Sequence, residues 1–298
     1  RYKEAHHNLG LVYRDSGLPE QALECFKNAL SIDQDYRECI SSLADLHRVN
    51  NDFSCAAEEY QALATKDPLN ISALIRLAEM KRVLNQPGEA LEMLTSSLHA
   101  FPRDIDLLNS IGLHYLNEDD TEHAIEYFDR AIEIDSEHPG ITSNLAMALG
   151  ISGFLEESNL VYRKALALDP SQPDANNNLG LQLLLMGLYK EGWVYYEWRF
   201  AGAERKLLCV PRCNPLKQFV LDQDSTILIV AEQGLGDTLQ FIRYLPLIAS
   251  RVERLYFCPQ PPLFEIIDSV NLPIKLLRPE QAEALTNAEW LPLLNIPR

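Results

Sequence analysis

Apolar residues recur along the first two thirds of the chain at one fixed interval. A leucine or isoleucine stands at every thirty-fourth position, and the next residue is always glycine or alanine. These marker positions are Leu9, Leu43, Leu77, Ile111, Leu145 and Leu179. Further small and aromatic positions follow at a constant offset, as at Ala22 and Phe26. The spacing predicts pairs of amphipathic helices that approach closely where the small residues lie.

Each predicted helix pair has an apolar face that it cannot bury alone, so successive pairs must stack. Pro68, Pro102 and Pro170 separate the pairs, because proline cannot continue a helix. The pattern resembles the tetratricopeptide repeat, with five full units over residues 3–172 and an altered sixth unit up to residue 206. The resemblance implies an all-α superhelix over residues 1–206 whose groove binds a protein or peptide partner.

The residue before the marker is asparagine in three of the six units, at Asn8, Asn144 and Asn178. This row resembles the repeat superhelix of O-linked N-acetylglucosamine transferases. That resemblance implies that the amides bind the backbone of an extended peptide, since an amide both donates and accepts hydrogen bonds. Serine or arginine interrupts the row in the other three units, and ordinary hydrogen bonding between helices is the alternative interpretation.

A second polar position repeats at the same interval. Arg14, Arg48 and Arg82 stand 34 residues apart. They could form a basic stripe along the groove and contact the peptide there. The alternative is that they are solvated surface arginines.

The sixth unit differs from the others in residues 187–200, where aromatic residues such as Trp193 and Trp198 are crowded together. Such a cluster favours an interface with the following domain, although it could also form a platform for a ligand. Residues 207–225 contain Pro211 and Pro215 and are expected to be a linker.

The hydrophobic period changes after residue 225. A continuous apolar run at residues 226–232 predicts a buried strand. A Gly-x-Gly-Asp turn follows it, and then an amphipathic helix interrupted by Pro246. Further strands are predicted at residues 254–259 and 274–277, with a helix between them. Alternating strands and helices predict parallel pairing, so residues 226–298 are expected to form an α/β segment.

The glycine turn does not match the common nucleotide-binding patterns. Leu239 replaces the third glycine of a dinucleotide fingerprint, and no Gly-Lys-Ser/Thr is present. The stretch "AEQGLGDTLQFIRYLPLIA" resembles the N-terminal motif of the family 9 (heptosyltransferase-like) glycosyltransferases. This resemblance implies a partial Rossmann-like domain, the N-terminal half of a GT-B fold, with Asp237 as the catalytic base. It also implies an acceptor-side loop at Glu232, Gln233, Gly234, Gly236 and Arg243.

Two functions are consistent with these observations. In the first, the chain is a fragment of a glycosyltransferase with tetratricopeptide repeats, whose intact form transfers sugar from a nucleotide sugar to an acceptor hydroxyl. The donor site of that fold lies mostly in a second α/β half, so this chain alone is expected to be inactive and to hold no cofactor. In the second, the chain is a non-catalytic interaction scaffold whose α/β segment caps the repeats.

Composition narrows the choice of partners and location. The net charge of −17 argues against broad nucleic-acid binding, which needs a basic face. No apolar run approaches the roughly 20 residues of a membrane-spanning helix. The six cysteines form no paired framework, so a metal site is not expected. Unpaired thiols instead favour a reducing, cytoplasmic location.

Overall fold

A computed structural model describes residues 2–201, 207–216, 221–232 and 234–296. The chain divides into two compact units, Arg1–Leu168 and Asp169–Arg298. The sixth helix pair therefore belongs to the same unit as the α/β segment, and the first five pairs form a unit of their own.

The first unit consists of five helix pairs of nearly constant length. The first helix of each pair has 13 residues and the second has 14. The helices are α1 (Lys3–Asp15), α2 (Pro19–Ile32), α3 (Arg37–Val49), α4 (Phe53–Lys66), α5 (Ile71–Val83), α6 (Pro87–Ala100), α7 (Ile105–Asn117), α8 (Thr121–Ile134), α9 (Pro139–Ile151) and α10 (Leu155–Leu168). The 34-residue helix-pair prediction is confirmed.

A left-handed residue ends the first helix of every pair, including the sixth. These residues have φ between 60° and 87° and are themselves 34 residues apart. They are Gly17, Asn51, Asn85, Asp119, Gly153 and Gly187. The residue after each one bonds back into the helix, as when the Asp52 N–H donates to the His47 carbonyl over 2.8 Å. Only glycine, asparagine and aspartate visit this region at low cost, so their recurrence sets the turn within each pair.

Close packing between the two helices of a pair explains the small residue after each marker. A Cβ atom on Gly112 would lie 2.6 Å from the Cε1 atom of Phe128, and Gly10 stands in the same relation to Phe26. Both phenylalanines are fully buried. Even a methyl group at these glycines would overlap the ring as it lies here, so the ring would have to shift.

The second unit joins a helix pair to a parallel sheet. The pair comprises α11 (Pro173–Leu185) and α12 (Tyr189–Tyr196), and a 3₁₀ turn over Glu197–Phe200 extends it. The strands are β1 (Asn214–Pro215), β2 (Thr226–Val230), β3 (Arg254–Cys258), β4 (Lys275–Leu276) and β5 (Glu289–Pro292). The helices between them are α13 (Leu235–Phe241), α14 (Leu245–Ala249), α15 (Phe264–Ser269) and α16 (Pro279–Glu283).

The order of the strands is β1-β5-β2-β3-β4, and every pairing is parallel. The chain moves outward from β2 through β3 to β4 and then returns to the other side of β2 as β5. In such sheets a crevice forms at the carboxyl ends of the two strands where the direction reverses. Here those strands are β2 and β5, and the Gly-x-Gly-Asp turn follows β2 directly.

The expected linker contains part of the sheet. Asn214 and Pro215 form the edge strand β1, which pairs with β5. Proline lacks an N–H group and is therefore tolerated at an edge. Residues 202–206 and 217–220 lie outside the described residues. Among the helices that are described, none combines the length and apolarity needed to cross a bilayer.

Candidate functional site

The first helices of the second, third and fourth pairs surround a cavity of about 410 Å³. Apolar side chains such as Phe53, Ile75 and Leu113 form part of its wall. The polar and charged groups that reach it are Arg48, Asn51, Glu79, Arg82, Ser110, His114 and Asn117. The cavity therefore combines an apolar wall with a few convergent polar groups, as ligand pockets in proteins commonly do.

The two arginines in this cavity are neutralised to different degrees. Arg48 Nε lies 3.7 Å from Asp45 Oδ1, and that carboxylate also accepts a 2.6 Å hydrogen bond from the Tyr60 hydroxyl. Arg48 Nε itself is buried without a hydrogen bond. Half-buried Arg82 forms no ion pair with any residue that the structure describes. Positive charge thus faces the cavity of a chain whose net charge is −17.

The other ionisable groups in the cavity add little negative charge. Glu79 is bound by Arg76, whose Nη1 lies 3.0 Å from Oε2. His114 is buried, and burial lowers its pKa; the Glu118 charge opposes this, and the Arg82 charge lowers the pKa further. Neutral His114 is compatible with an anion in the cavity and offers one donor and one acceptor.

The asparagine row is only partly available to a ligand. Asn144 Nδ2 donates to Asn109 Oδ1 over 2.8 Å, which links the first helices of neighbouring repeats. His7 Nε2 and Ser42 Oγ lie 2.9 Å apart at the corresponding positions of an earlier pair. Asn8 is exposed and Asn178 is half-buried. Hydrogen bonding between helices, the alternative interpretation, therefore applies to Asn144, and peptide binding by the row stays a prediction.

Arg14 differs from the other two arginines of the predicted stripe. Its Nη2 lies 2.9 Å from Asp15 Oδ1, and it does not line the cavity. The structure thus brings Arg48 and Arg82 together at one cavity and leaves Arg14 outside it.

The Gly-x-Gly-Asp turn is part of a helix. Helix α13 begins at Leu235, so Gly236 and Asp237 lie in its first turn and not before it. Gly234 precedes the helix with φ of 101°, a conformation that favours glycine, whereas Gly236 has open space where a Cβ atom would be. Asp237 is exposed, and its Oδ2 atom lies beside Gly234.

The remaining residues of the predicted acceptor-side loop have different surroundings. Arg243 is exposed and its Nη2 donates to the Tyr244 hydroxyl over 3.3 Å. Gln233 lies outside the described residues. Glu232 is held in a buried ion pair with Arg199 in the 3₁₀ turn after α12.

The Arg199–Glu232 pair is the most densely bonded polar contact described in the second unit. Arg199 Nε and Nη2 each donate to one oxygen of Glu232 over 2.8 Å, and the arginine side chain has no exposed surface. Nη2 also donates to Asn295 Oδ1 over 2.6 Å. The Leu294 N–H donates to Glu232 Oε1 over 3.1 Å. Because Leu294 and Asn295 follow β5 and Glu232 follows β2, the pair lies at the crevice where the strand order reverses.

A buried glutamine supports the same turn from the third strand. Gln260 Nε2 donates to the backbone carbonyls of Glu232 and Gly234, the latter over 3.4 Å. These contacts hold Glu232 in the position that Arg199 requires. Glu232 is therefore a structural anchor between the sixth helix pair and the sheet, whatever role it has toward an acceptor.

Two family models, both described as "Tetratricopeptide repeat", match residues 4–36 and 105–138. These ranges coincide with the pairs α1–α2 and α7–α8. The chain carries tetratricopeptide repeats. The other helix pairs of the first unit share their period, their turn residues and their lengths.

Similarity to characterised proteins reaches beyond single repeats. Protein FlbA of Caulobacter vibrioides is 28% identical over 249 residues, which is 81% of this chain and 41% of the relative. Protein O-mannosyl-transferase TMTC1 of Homo sapiens is 27% identical over 160 residues, 52% of this chain and 18% of the relative. The chain thus spans less than half the length of either relative.

A solved structure confirms the fold of the tetratricopeptide repeats. A thermophilic TPR protein from Thermus thermophilus superimposes with a TM-score of 0.52 at 23% sequence identity. The match covers 61% of this chain and 99% of that protein. This match supports only the fold of the helical repeats.

Sequence reasoning missed Arg199 and Asn295 as partners of Glu232. The three residues are far apart in the chain, and no periodic pattern connects them. The one available signal is an arginine within the aromatic stretch of the altered sixth repeat.

We predict that Arg199→Met lowers the free energy of unfolding of the second unit by about 3–5 kcal/mol, because Glu232 is left buried without its partner. Glu232→Leu should cost a similar amount. The double variant Arg199→Met/Glu232→Leu should recover most of the loss, since it removes both charges together. Hydrogen exchange at the amides of β2 and β5 measures the effect. Single variants that cost less than about 1 kcal/mol, as exposed pairs do, would contradict this account.

Proposed function

We propose that the repeats bind an extended protein segment and that the cavity between the second and fourth repeats receives an acidic group of that segment. The observation that carries this proposal is Arg82, which is half-buried at the cavity and has no carboxylate partner among the described residues. Arg48, which shares Asp45 with Tyr60, is the second cation at the same place.

The energetics favour a carboxylate in this position. A hydrogen bond to a charged group contributes roughly 1.5–3 kcal/mol, and a guanidinium can bind a carboxylate through two parallel bonds. A cavity of about 410 Å³ is large enough for one acidic side chain with apolar neighbours. Phe53, Ile75 and Leu113 supply apolar surface for those neighbours.

The distribution of charge would also make the proposed binding specific for acidic segments. The protein as a whole repels anions, with a net charge of −17. An acidic segment is therefore attracted only where arginines dominate locally, and it would meet like charge if it bound in another register. Electrostatic complementarity of this kind sets register and partner choice more than affinity.

Fluorescence anisotropy with labelled peptides in an extended conformation tests the proposal. The probes carry one aspartate or glutamate between apolar residues, and matched probes carry asparagine or glutamine. Acidic probes should bind more tightly than their amide counterparts. Arg82→Ala should weaken the acidic probes by about 10–100-fold, and Arg48→Ala by a smaller factor because Asp45 already shares that charge.

Arg14→Ala is the matched control, since Arg14 occupies the same repeat position but lies outside the cavity. It should leave peptide affinity unchanged. Equal losses from Arg14→Ala and Arg82→Ala would show that only general surface charge matters. Equal binding of acidic and amide probes would rule out a carboxylate in the cavity.

A second candidate function is glycosyl transfer by a longer protein that contains this chain. Two observations favour it. The parallel sheet has its Gly-x-Gly-Asp turn at the strand-order reversal, where ligands of such sheets bind. One relative is named a protein O-mannosyl-transferase, and its match covers 52% of this chain.

In this second function the α/β segment is the N-terminal half of a GT-B fold, and a nucleotide sugar binds mainly in a second half. Asp237 takes the proton from an acceptor hydroxyl as that oxygen attacks the sugar. The repeats recruit the acceptor protein. The alternative without catalysis is an interaction scaffold in which the sheet caps the last repeat.

Asp237→Asn in the full-length protein separates these possibilities. Loss of a general base should lower sugar transfer from nucleotide sugars by about 10²–10⁴-fold while peptide affinity stays unchanged. Asp268→Asn, an exposed carboxylate on α15 of the same unit, is the control and should transfer normally. Full transfer activity in Asp237→Asn would exclude Asp237 as the base. Absence of transfer in the unmodified protein would favour the scaffold.

A further inference from the structure

The turn between α3 and α4 brings together three side chains that commonly bind metals. His47 lies in the last turn of α3, Asp52 is the N-cap of α4, and Cys55 lies in the first turn of α4. The ligand atoms of all three lie within 4.8 Å of one another. His47 Nδ1 is 3.3 Å from Asp52 Oδ2.

These separations are close to those of a tetrahedral zinc site. Zn²⁺ binds thiolate sulfur at about 2.3 Å and imidazole nitrogen at about 2.0 Å, so neighbouring ligand atoms lie about 3.5 Å apart. The pair His47–Asp52 already has this separation. The Cys55 sulfur lies within 4.8 Å of both other ligand atoms.

A further carboxylate, Glu59, lies one turn further along α4 and outside the cluster of the three ligand atoms. Glu59 follows Cys55 by four residues and so lies on the same face of the helix. It is half-buried and makes no hydrogen bond or ion pair with the described residues.

The equivalent positions of other repeats show that this turn regularly brings side chains into contact. In the third repeat, Lys81 and Glu89 form an ion pair of 2.7 Å at the positions of His47 and Cys55. In the fourth repeat, Tyr115 stacks on His123 at 5.0 Å, and His123 lies 2.8 Å from Asp120. Each of these repeats fills the same place with complementary groups.

The second repeat fills that place with a nitrogen, an oxygen and a sulfur donor. We propose that His47, Asp52 and Cys55 bind a divalent ion of the zinc type, and that the Glu59 side chain turns toward the ion as the fourth ligand. Mixed imidazole, thiolate and carboxylate donors suit Zn²⁺ better than Mg²⁺ or Ca²⁺, which prefer oxygen alone. On binding, the Cys55 thiol releases its proton to water and the thiolate sulfur bonds to the ion. The ion then links the end of α3 to the first two turns of α4.

Asp52 has a structural role without any metal, because Oδ1 accepts a hydrogen bond of 3.4 Å from the Cys55 N–H. The His47–Asp52 contact could likewise serve only to stabilise the turn. The two roles can be separated, since asparagine caps a helix as well as aspartate does but is a poorer metal ligand.

Cobalt titration of the reduced, chelator-treated full chain tests the proposal. Co²⁺ should give a thiolate-to-cobalt charge-transfer band that saturates near one ion per chain, and Zn²⁺ should displace it. Cys55→Ser should abolish the band. Asp52→Asn, Glu59→Gln and His47→Gln should each weaken Co²⁺ affinity by at least about tenfold. Zn²⁺ should raise the melting temperature of the unmodified chain and should leave that of Cys55→Ser unchanged.

His123→Gln is the matched control, because the fourth repeat offers histidine and aspartate without a thiol. It should leave the cobalt band and its affinity unchanged. Circular dichroism of each variant shows that the helices remain folded. A band that survives in Cys55→Ser would place the ion on other cysteines and overturn the proposal. An unmodified chain with no thiolate band at stoichiometric Co²⁺ would also overturn it, as would unchanged affinity in Asp52→Asn.

Discussion

The left-handed residue at the end of each first helix is the constraint on which the repeat structure depends. At six positions spaced by 34 residues, the chain must adopt a φ that most side chains avoid, and it uses only glycine, asparagine or aspartate there. The turn that results fixes where the second helix begins. It therefore also fixes which residues of the two helices face each other, including the pair Gly112 and Phe128.

The same turn also positions the charged side chains and the proposed metal ligands of the repeats. Arg48 and Arg82 each precede a left-handed asparagine by three residues, and both reach one cavity. His47, Asp52 and Cys55 surround the turn at Asn51. A constant backbone thus presents variable side chains at equivalent places, and function depends on which groups occupy them. Loss of the turn would displace the arginines and the cluster of metal-binding residues together.

The periodic part of the structure could be predicted from the sequence, because each helix pair repeats one local pattern. The strands β2, β3 and β4 were also predictable, since apolar runs act locally, but β5 was not predicted. The predicted helix is interrupted at Ile242–Tyr244, and Pro246 lies in the first turn of the helix that follows. The aromatic stretch of the sixth pair also predicted an interface with the following domain, but the polar contact that joins the pair to the sheet was not predictable. It depends on Arg199, Glu232 and Asn295, which are brought together only by the folded topology.

The candidate sites, too, could be predicted from the sequence only in part. Periodicity singled out Arg14, Arg48 and Arg82 equally, but the side chains around them decide that only two reach the cavity. Asn144 is partly used between helices, which the row of asparagines could not reveal. The recurrence of Gly17, Asn51 and Gly153 was present in the sequence, and the turn explains why those residue types recur there.

The free energies of unfolding of Asn85→Gly and Asn85→Ala, compared by urea denaturation, test the turn constraint most directly. In an unconstrained turn, alanine should be more stable than glycine by about 0.4–1 kcal/mol, because it restricts the unfolded chain. The left-handed conformation reverses that order, since an L side chain there costs roughly 1–2 kcal/mol. We predict that the glycine variant is the more stable of the two. A more stable alanine variant would contradict the account.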